Sequence, residues 1–160
     1  MALNRVLNVG ILTLSDSRTE SEDQSGKALK ELLEERGYAV SRYAVIPDDT
    51  NKITDTLISW ADEKLDLILT TGGTGPGPRD VTPEATAAVI DKTLPGFSEL
   101  IRFEGGKKTD RAYLTRGLSG IRGQTVIINL PGSVKGATES LEAVVNLIPH
   151  TITMMEGEGH

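Results

Sequence analysis

Apolar side chains fall into two spacings that alternate along the chain. Residues 39–46 read as a strand that is mostly apolar but carries Arg42 and Tyr43, while short unbroken runs cover residues 6–14 (Val9, Ile11, Leu12, Leu14), 67–71 (Leu67-Ile68-Leu69-Thr70-Thr71) and 125–130 (Val126, Ile127, Ile128). Runs of this length bounded by turn residues predict buried strands. Between them the apolar positions recur every three or four residues, as one face of a helix requires. Ala28, Leu29, Leu32 and Leu33 mark a helix from about Ser25, with Gly37 closing it as a C′ residue. Ile53, Leu57, Ile58 and Ala61 mark a second, with Trp60 nearby, opened by Pro47-Asp48-Asp49-Thr50. Ala85, Ala88 and Val89 lie in a third from Pro83 to about Lys92, with Thr82 as its N-cap and Pro83 at its first position.

Pro95-Gly96 opens a helical segment to about Phe103, Gly105-Gly106-Lys107-Lys108 reads as a mobile basic turn, and residues 112–116 as a short helix. The last helix aligns Leu141, Val144, Val145, Ile148, Ile152 and Met155, with Pro149 expected to kink it. Residues 157–160 are expected to fray. Strands alternating with helices predict a three-layer α/β/α domain over residues 1–160, its central sheet mainly parallel and covered on both faces. No internal repeat or low-complexity linker interrupts it.

In such folds ligands gather outside the carboxyl ends of the strands. The polar clusters fall there: Ser15-Asp16, Asp48-Asp49, residues 72–80 and residues 129–133. The third holds three glycines in four residues, Gly72-Gly73-Thr74-Gly75, followed by Pro76-Gly77-Pro78-Arg79-Asp80-Val81-Thr82-Pro83. Glycine reaches φ > 0 without strain and lets a ligand approach the main chain. A strand, a glycine loop and a helix start place unpaired N–H groups and a positive dipole end around one cavity, which suits phosphate. No Gly-Lys-Ser/Thr follows, so the loop is not a Walker A motif, and the Gly-x-Gly-x-x-Gly spacing of dinucleotide folds is missing. A plain turn is the competing reading; Arg79-Asp80 weighs against it, a cation for phosphate beside a carboxylate for a metal.

Composition narrows the chemistry. The 160 residues include no cysteine, which removes disulfides, thiolate metal sites and a cysteine nucleophile. His150 and His160 are the only histidines, so histidine metal clusters and a Ser–His–Asp triad are not expected. A net charge of −6 argues against broad nucleic-acid binding. No stretch reaches the roughly 18–20 apolar residues of a membrane span, and residues 1–6 lack signal-peptide architecture. A cytoplasmic location, with no nucleic-acid or membrane partner, is expected.

With these residues in place the chain resembles the MogA/MoaB family of molybdenum-cofactor biosynthesis proteins, and the G domain of the eukaryotic fusion proteins of that pathway. The matching segments are Thr13-Leu14-Ser15-Asp16, Asp23-Gln24-Ser25-Gly26, Ile46-Pro47-Asp48-Asp49, Thr70-Thr71-Gly72-Gly73-Thr74-Gly75, Pro78-Arg79-Asp80-Val81-Thr82-Pro83-Glu84-Ala85-Thr86 and Asn129-Leu130-Pro131-Gly132-Ser133. The chain departs from the family at Val134, where proline is frequent, and at Pro76-Gly77, a pair that varies among relatives. The resemblance implies a homotrimer that binds molybdopterin and adenylylates its terminal phosphate with Mg-ATP, releasing pyrophosphate, and that serves a downstream molybdenum-insertion protein. A non-catalytic molybdopterin-binding protein of the MoaB type is the alternative within the family; a nucleotide-binding assembly module is the alternative outside it.

Joining two anions needs a metal, backbone donors and cations more than it needs covalent help from protein. Asp49 and Asp80 are therefore the leading catalytic and metal-binding (Mg²⁺) candidates, with Asp48 supporting. Helix capping is the competing role for Asp48-Asp49, and a salt bridge to Arg79 for Asp80. Gly72, Gly73, Thr74 and Gly75 are expected to line the nucleotide phosphates and Arg79 to clamp them. Ser15, Asp16 and Ser25 are expected to face the same cleft, and Asn129, Gly132 and Ser133 to contact pterin or phosphate. Trp60 and His150 read as structural or, for His150, exposed.

Overall fold

The computed structural model describes residues 3–157. A six-stranded sheet runs in the order β2-β1-β3-β6-β5-β4. Its strands are β1 (Asn8–Leu14), β2 (Ala39–Ile46), β3 (Leu67–Thr71), β4 (Lys92–Thr93), β5 (Ser119–Arg122) and β6 (Thr125–Leu130). The first four in spatial order are parallel, and β5 and β4 are antiparallel. The helices are α1 (Gln24–Glu35), α2 (Thr50–Asp62), α3 (Thr82–Val89), α4 (Pro95–Gly106), α5 (Val134–Val144) and α6 (Ile148–Met155).

The period of two along each strand sorts the core into two layers. Val9, Ile11, Leu67, Leu69, Val126 and Ile128 face α1, α4, α5 and α6, meeting Leu29, Leu33, Ile101, Leu141 and Ile148. Leu12, Leu14, Ile68 and Ile127 face α2 and α3, meeting Ile53, Leu57, Trp60 and Val89. The three-layer α/β/α expectation is met. Three helices begin where the sequence supplies a side-chain cap: Asp23 accepts from Gly26 N, Asp49 from Lys52 N and Ser133 from Gly136 N.

The differences lie in the second half. The third helix ends at Val89, not near Lys92, because residues 92–93 pair with β5. Both β4 and β5 are too short for a hydrophobic period to reveal; Gly123, at φ +57°, starts the two-residue connection from β5 to β6. Gly105 and Gly106 continue α4 instead of forming a turn, and the short helix is a 3-10 segment over Asp110–Leu114. Thr82 is the first residue of α3, so the N-cap is Val81. The final helix breaks at Val145–Leu147, with Pro149 in the first turn of α6. Most of the segment expected to fray, including His160, lies outside the described residues. Among the described residues no helix is long and apolar enough to cross a membrane.

Candidate functional site

The chain leaves β1 on one side to form β2 and returns on the other to form β3, so the crevice between the carboxyl ends of β1 and β3 is the switch point of the sheet. Backbones crowd there. A Cβ on Gly72 (φ +104°) would lie 2.5 Å from Leu14 O, and one on Gly132 would lie 3.2 Å from the Gly72 Cα. Gly72 N donates to Leu130 O (3.1 Å) and the Thr71 hydroxyl to Pro131 O (2.6 Å). The exits of β1, β3 and β6 are thus tied together, with no room for a side chain at Gly72 and little at Gly132.

In the loop the carbonyls are held and the amides are left. Gly72 O accepts from the Thr82 hydroxyl (3.0 Å), Gly73 O from Thr82 N (3.1 Å) and Thr74 O from Arg116 N (2.7 Å). A trans peptide points the N–H of the next residue opposite to each carbonyl. The N–H groups of Gly73, Thr74 and Gly75 therefore face away from these partners, and none of them donates to a described residue. Three successive donors beside the start of α3 are the kind of row that anion sites use. Thr82 serves it by turning its hydroxyl back onto the loop, which explains why it does not cap the helix.

Arg79 lies across the mouth. Its Nε and Nη2 bind the Asp16 carboxylate at 2.9 and 3.0 Å, and Nη2 also reaches Asp48 O (3.1 Å). Asp16 accepts in addition from Asp48 N (3.0 Å). The Arg79 guanidinium, helped by that N–H, holds the Asp16 carboxyl below its ordinary range. Asp48 is pushed the other way: burial raises it first, and the charges of Asp16 and Asp80 add to the effect. Its Oδ1 is buried without a partner, 3.0 Å from where a Gly73 Cβ would stand. Burying an unpaired carboxylate oxygen is costly unless the group takes up a proton, as its raised pKa favours, or meets a cation.

Asp80 sits inside the loop that it follows. Its Oδ2 accepts from Gly77 N (3.0 Å) and lies 2.9 Å from the Cβ positions of both Gly75 and Gly77. Asp49 caps α2 through Oδ1, the competing role that its position before a helix suggested. Among the described residues no three acidic or histidine side chains lie close enough together to form a metal cluster. Asp48 and Asp80 thus share the glycine loop, while Asp49 stands at its rim.

Two expected contacts do not reach the cleft. Ser25 is fully buried and donates to Asp23 Oδ1 (3.2 Å). Asp23 gathers Thr13, Tyr43, Ser25 and Gly26 around one carboxylate; burial would raise its pKa, but these hydrogen bonds outweigh burial and lower it. Asn129 is also buried, with Nδ2 on the Thr70 and Thr86 hydroxyls (2.9 and 3.0 Å) and Oδ1 accepting from Leu118 N (3.0 Å). Ser15 orders the turn after β1, accepting from Arg18 N (3.0 Å). Gly132 does lie at the crevice, against Gly72 and with its O 3.5 Å from Arg18 Nη1, whereas the Ser133 hydroxyl caps α5.

Ser133 also lines a cavity of about 330 Å³ between α4, the 3-10 segment and the start of α5, together with Lys108, Thr109, Arg111 and Lys135. That volume falls in the small-ligand range. The glycine loop does not line it; Pro131 and Ser133 connect the two. Lys108, Arg111 and Lys135 line it together with Glu104 and Glu139, and Glu139 pairs with Lys108. Nothing in the spacing of residues 108–116 singles out this cavity or Arg116, because both depend on how the β5 side of the sheet folds back.

A family model described as "Probable molybdopterin binding domain" matches residues 10–150. The chain belongs to that family. Within the molybdopterin-binding family it is 42% identical to the molybdopterin adenylyltransferase of Helicobacter pylori (strain J99), over 96% of this chain and 90% of that one. The crystal structure of the molybdopterin biosynthesis enzyme MoaB from Thermus thermophilus superposes with a TM-score of 0.88 at 47% identity, covering 95% of this chain and 98% of that chain. The Mog protein of Mycobacterium ulcerans superposes equally well, with a TM-score of 0.88 at 34% identity, covering 96% and 99%. The resemblance in the motifs and the whole-chain likeness agree.

Proposed function

We propose that the protein adenylylates the terminal phosphate of molybdopterin with Mg-ATP, as a step of molybdenum-cofactor biosynthesis. The observation that carries this reading is the row of undirected amides at Gly73, Thr74 and Gly75, set at the switch point beside an unpaired Asp48 oxygen. A relative of 42% identity over nearly the whole chain, named for that activity, supports it.

In this reaction a phosphate oxygen attacks the α-phosphorus, the bond to pyrophosphate breaks, and no proton has to move. The protein's task is to bring two anions together and to hold the charge of the crowded phosphorus. The three amides bind phosphate oxygens, and Arg79 turns from Asp16 toward them as a clamp. Ser133 and Lys135 offer the cavity beyond β6 to the pterin. Mg²⁺ fits this donor set only as an ion shared with substrate, since it is commonly bound by one or two carboxylates plus phosphates. Asp48 and Asp80 would hold it, with Asp49 at the rim, and when bound it neutralises charge on the phosphates.

A homotrimer completes the proposal. Phe103, Tyr113 and Leu114 are each more than half exposed on α4 and the 3-10 segment after it, an apolar surface suited to burial between copies. The product would pass to a molybdenum-insertion protein in the cytoplasm. Incubation with molybdopterin, ATP, magnesium and pyrophosphatase should yield adenylylated molybdopterin, and Asp80→Asn should abolish it with the melting temperature retained. Full activity in Asp80→Asn would remove that catalytic assignment. Binding of both substrates by the wild type without turnover would leave a carrier of the MoaB type. A monomeric mass by light scattering would rule out the trimer.

A further inference from the structure

Arg116 lies outside every motif that the sequence singles out, yet more of its hydrogen bonds go to the glycine loop than those of any residue discussed above. Its Nε donates to Gly75 O (2.9 Å) and its Nη2 to Asp80 O (2.8 Å), while its own N–H holds Thr74 O. The remaining edge of the guanidinium meets Glu84, on the first turn of α3, at 2.6 and 3.3 Å. One planar fork thereby grips both ends of the excursion from Gly75 to Asp80 and anchors them to the helix that follows. A single ammonium could not span the two carbonyls, because it is a point charge without the fixed fork.

That excursion carries the two groups of the loop that bear full charge, Arg79 and the Asp80 carboxylate. Inside it only two hydrogen bonds are made, Gly77 N to Asp80 Oδ2 and Asp80 N to Gly77 O (3.1 Å). Gly77 is flanked by Pro76 and Pro78, which contribute no N–H of their own. The Arg79 side chain ties the span to Asp16 and Asp48 O, but it is Arg116 that holds the main-chain carbonyls at its start and its end.

We propose that Arg116 is a positioning residue for the nucleotide: its fork sets the Gly75–Asp80 span so that Asp80 and Arg79 meet the phosphates, and Glu84 aims the fork. The inference rests on the adenylyl-transfer reading for its kinetic consequence, but its structural consequence can be measured without substrate. In Arg116→Met the amides of Gly77 and Asp80 should exchange with solvent at least tenfold faster, while those of Ile68 and Ile128 in the sheet stay within twofold. The KM for ATP should rise at least tenfold with the KM for molybdopterin within twofold. Arg116→Lys should restore neither, because it keeps the charge and loses the fork.

Unchanged exchange at Gly77 and Asp80 in Arg116→Met would overturn the proposal whatever the activity does. So would full recovery by lysine, or an equal loss in both KM values together with a collapsed melting temperature, which would make Arg116 a general structural residue. A wild-type protein that forms no adenylylated product would instead overturn the transferase reading, and the exchange comparison would still decide the role of Arg116.

Discussion

Replacing Asn129 with alanine separates a structural role from a ligand contact at a position where the motif alone suggests contact. Both Nδ2 hydrogens and one Oδ1 lone pair are engaged inside the protein, to Thr70, Thr86 and Leu118. These partners belong to β3, α3 and the segment before β5, so one amide joins the sheet centre to the helix behind the glycine loop and to the antiparallel side. Truncation strands the Leu118 N–H, at a cost of about 1–3 kcal/mol, and removes two further bonds worth about 1 kcal/mol each. The expected loss is about 3–5 kcal/mol. At roughly 2–4 °C per kcal/mol for a domain of this size, the melting temperature should fall by about 6–20 °C. Calorimetry at one fixed protomer concentration measures this without interference from assembly. ATP and molybdopterin affinities, measured well below the transition, should stay within about threefold. A melting temperature within 2 °C of wild type, paired with a tenfold loss of affinity for either substrate, would refute the assignment and return Asn129 to the ligand.

Gly73→Ala should weaken ATP binding more than tenfold and cost more than the roughly 1–2 kcal/mol of a φ of +69° alone, since the new methyl would overlap the Thr82 hydroxyl and stand 3.0 Å from Asp48 Oδ1. Gly37→Ala supplies the control for isothermal titration, because its φ of +87° carries the same backbone strain with open space around it and no ligand nearby. Asp23→Asn tests the buried carboxylate by pH. Its folded pKa lies below the ordinary 3.8, so the stability it contributes is complete above that value and is lost as pH falls through the folded pKa. Urea denaturation should therefore show a flatter decline as pH falls below about 4 in Asp23→Asn than in wild type. Parallel acid limbs in the two proteins would contradict this account.

The parallel half of the fold was legible because β1, β3 and β6 are buried almost throughout and its helices are one-sided, patterns that sequence spacing records directly. Thr82 shows where such reading stops. A threonine before proline at a helix start reads as a cap, but its hydroxyl is taken by Gly72 O across the loop, a tertiary contact with no local signature. Asp49 shows the reverse case: its capping role was visible as an alternative, and the structure supplies the cap while leaving the residue at the rim. Asp16, Arg79, Asp48 and the glycines were brought together because they all lie at strand ends. Ser25 sits one turn into the structure behind that rim, where burial decides its partner. Arg116 could not be found, since its importance comes from a carbonyl geometry that only the folded loop creates.

Gly10 has a practical consequence. It lies in β1 where the pairing with β2 shifts register, and a methyl there would stand 2.7 Å from the ring of Trp60. The bare backbone lets the indole rest against the sheet under α2, and this is the chain's single tryptophan. Its fluorescence is consequently a built-in optical reporter of one layer alone: detachment of α2 from the sheet would alter the emission, whereas loosening confined to the opposite face would pass unseen.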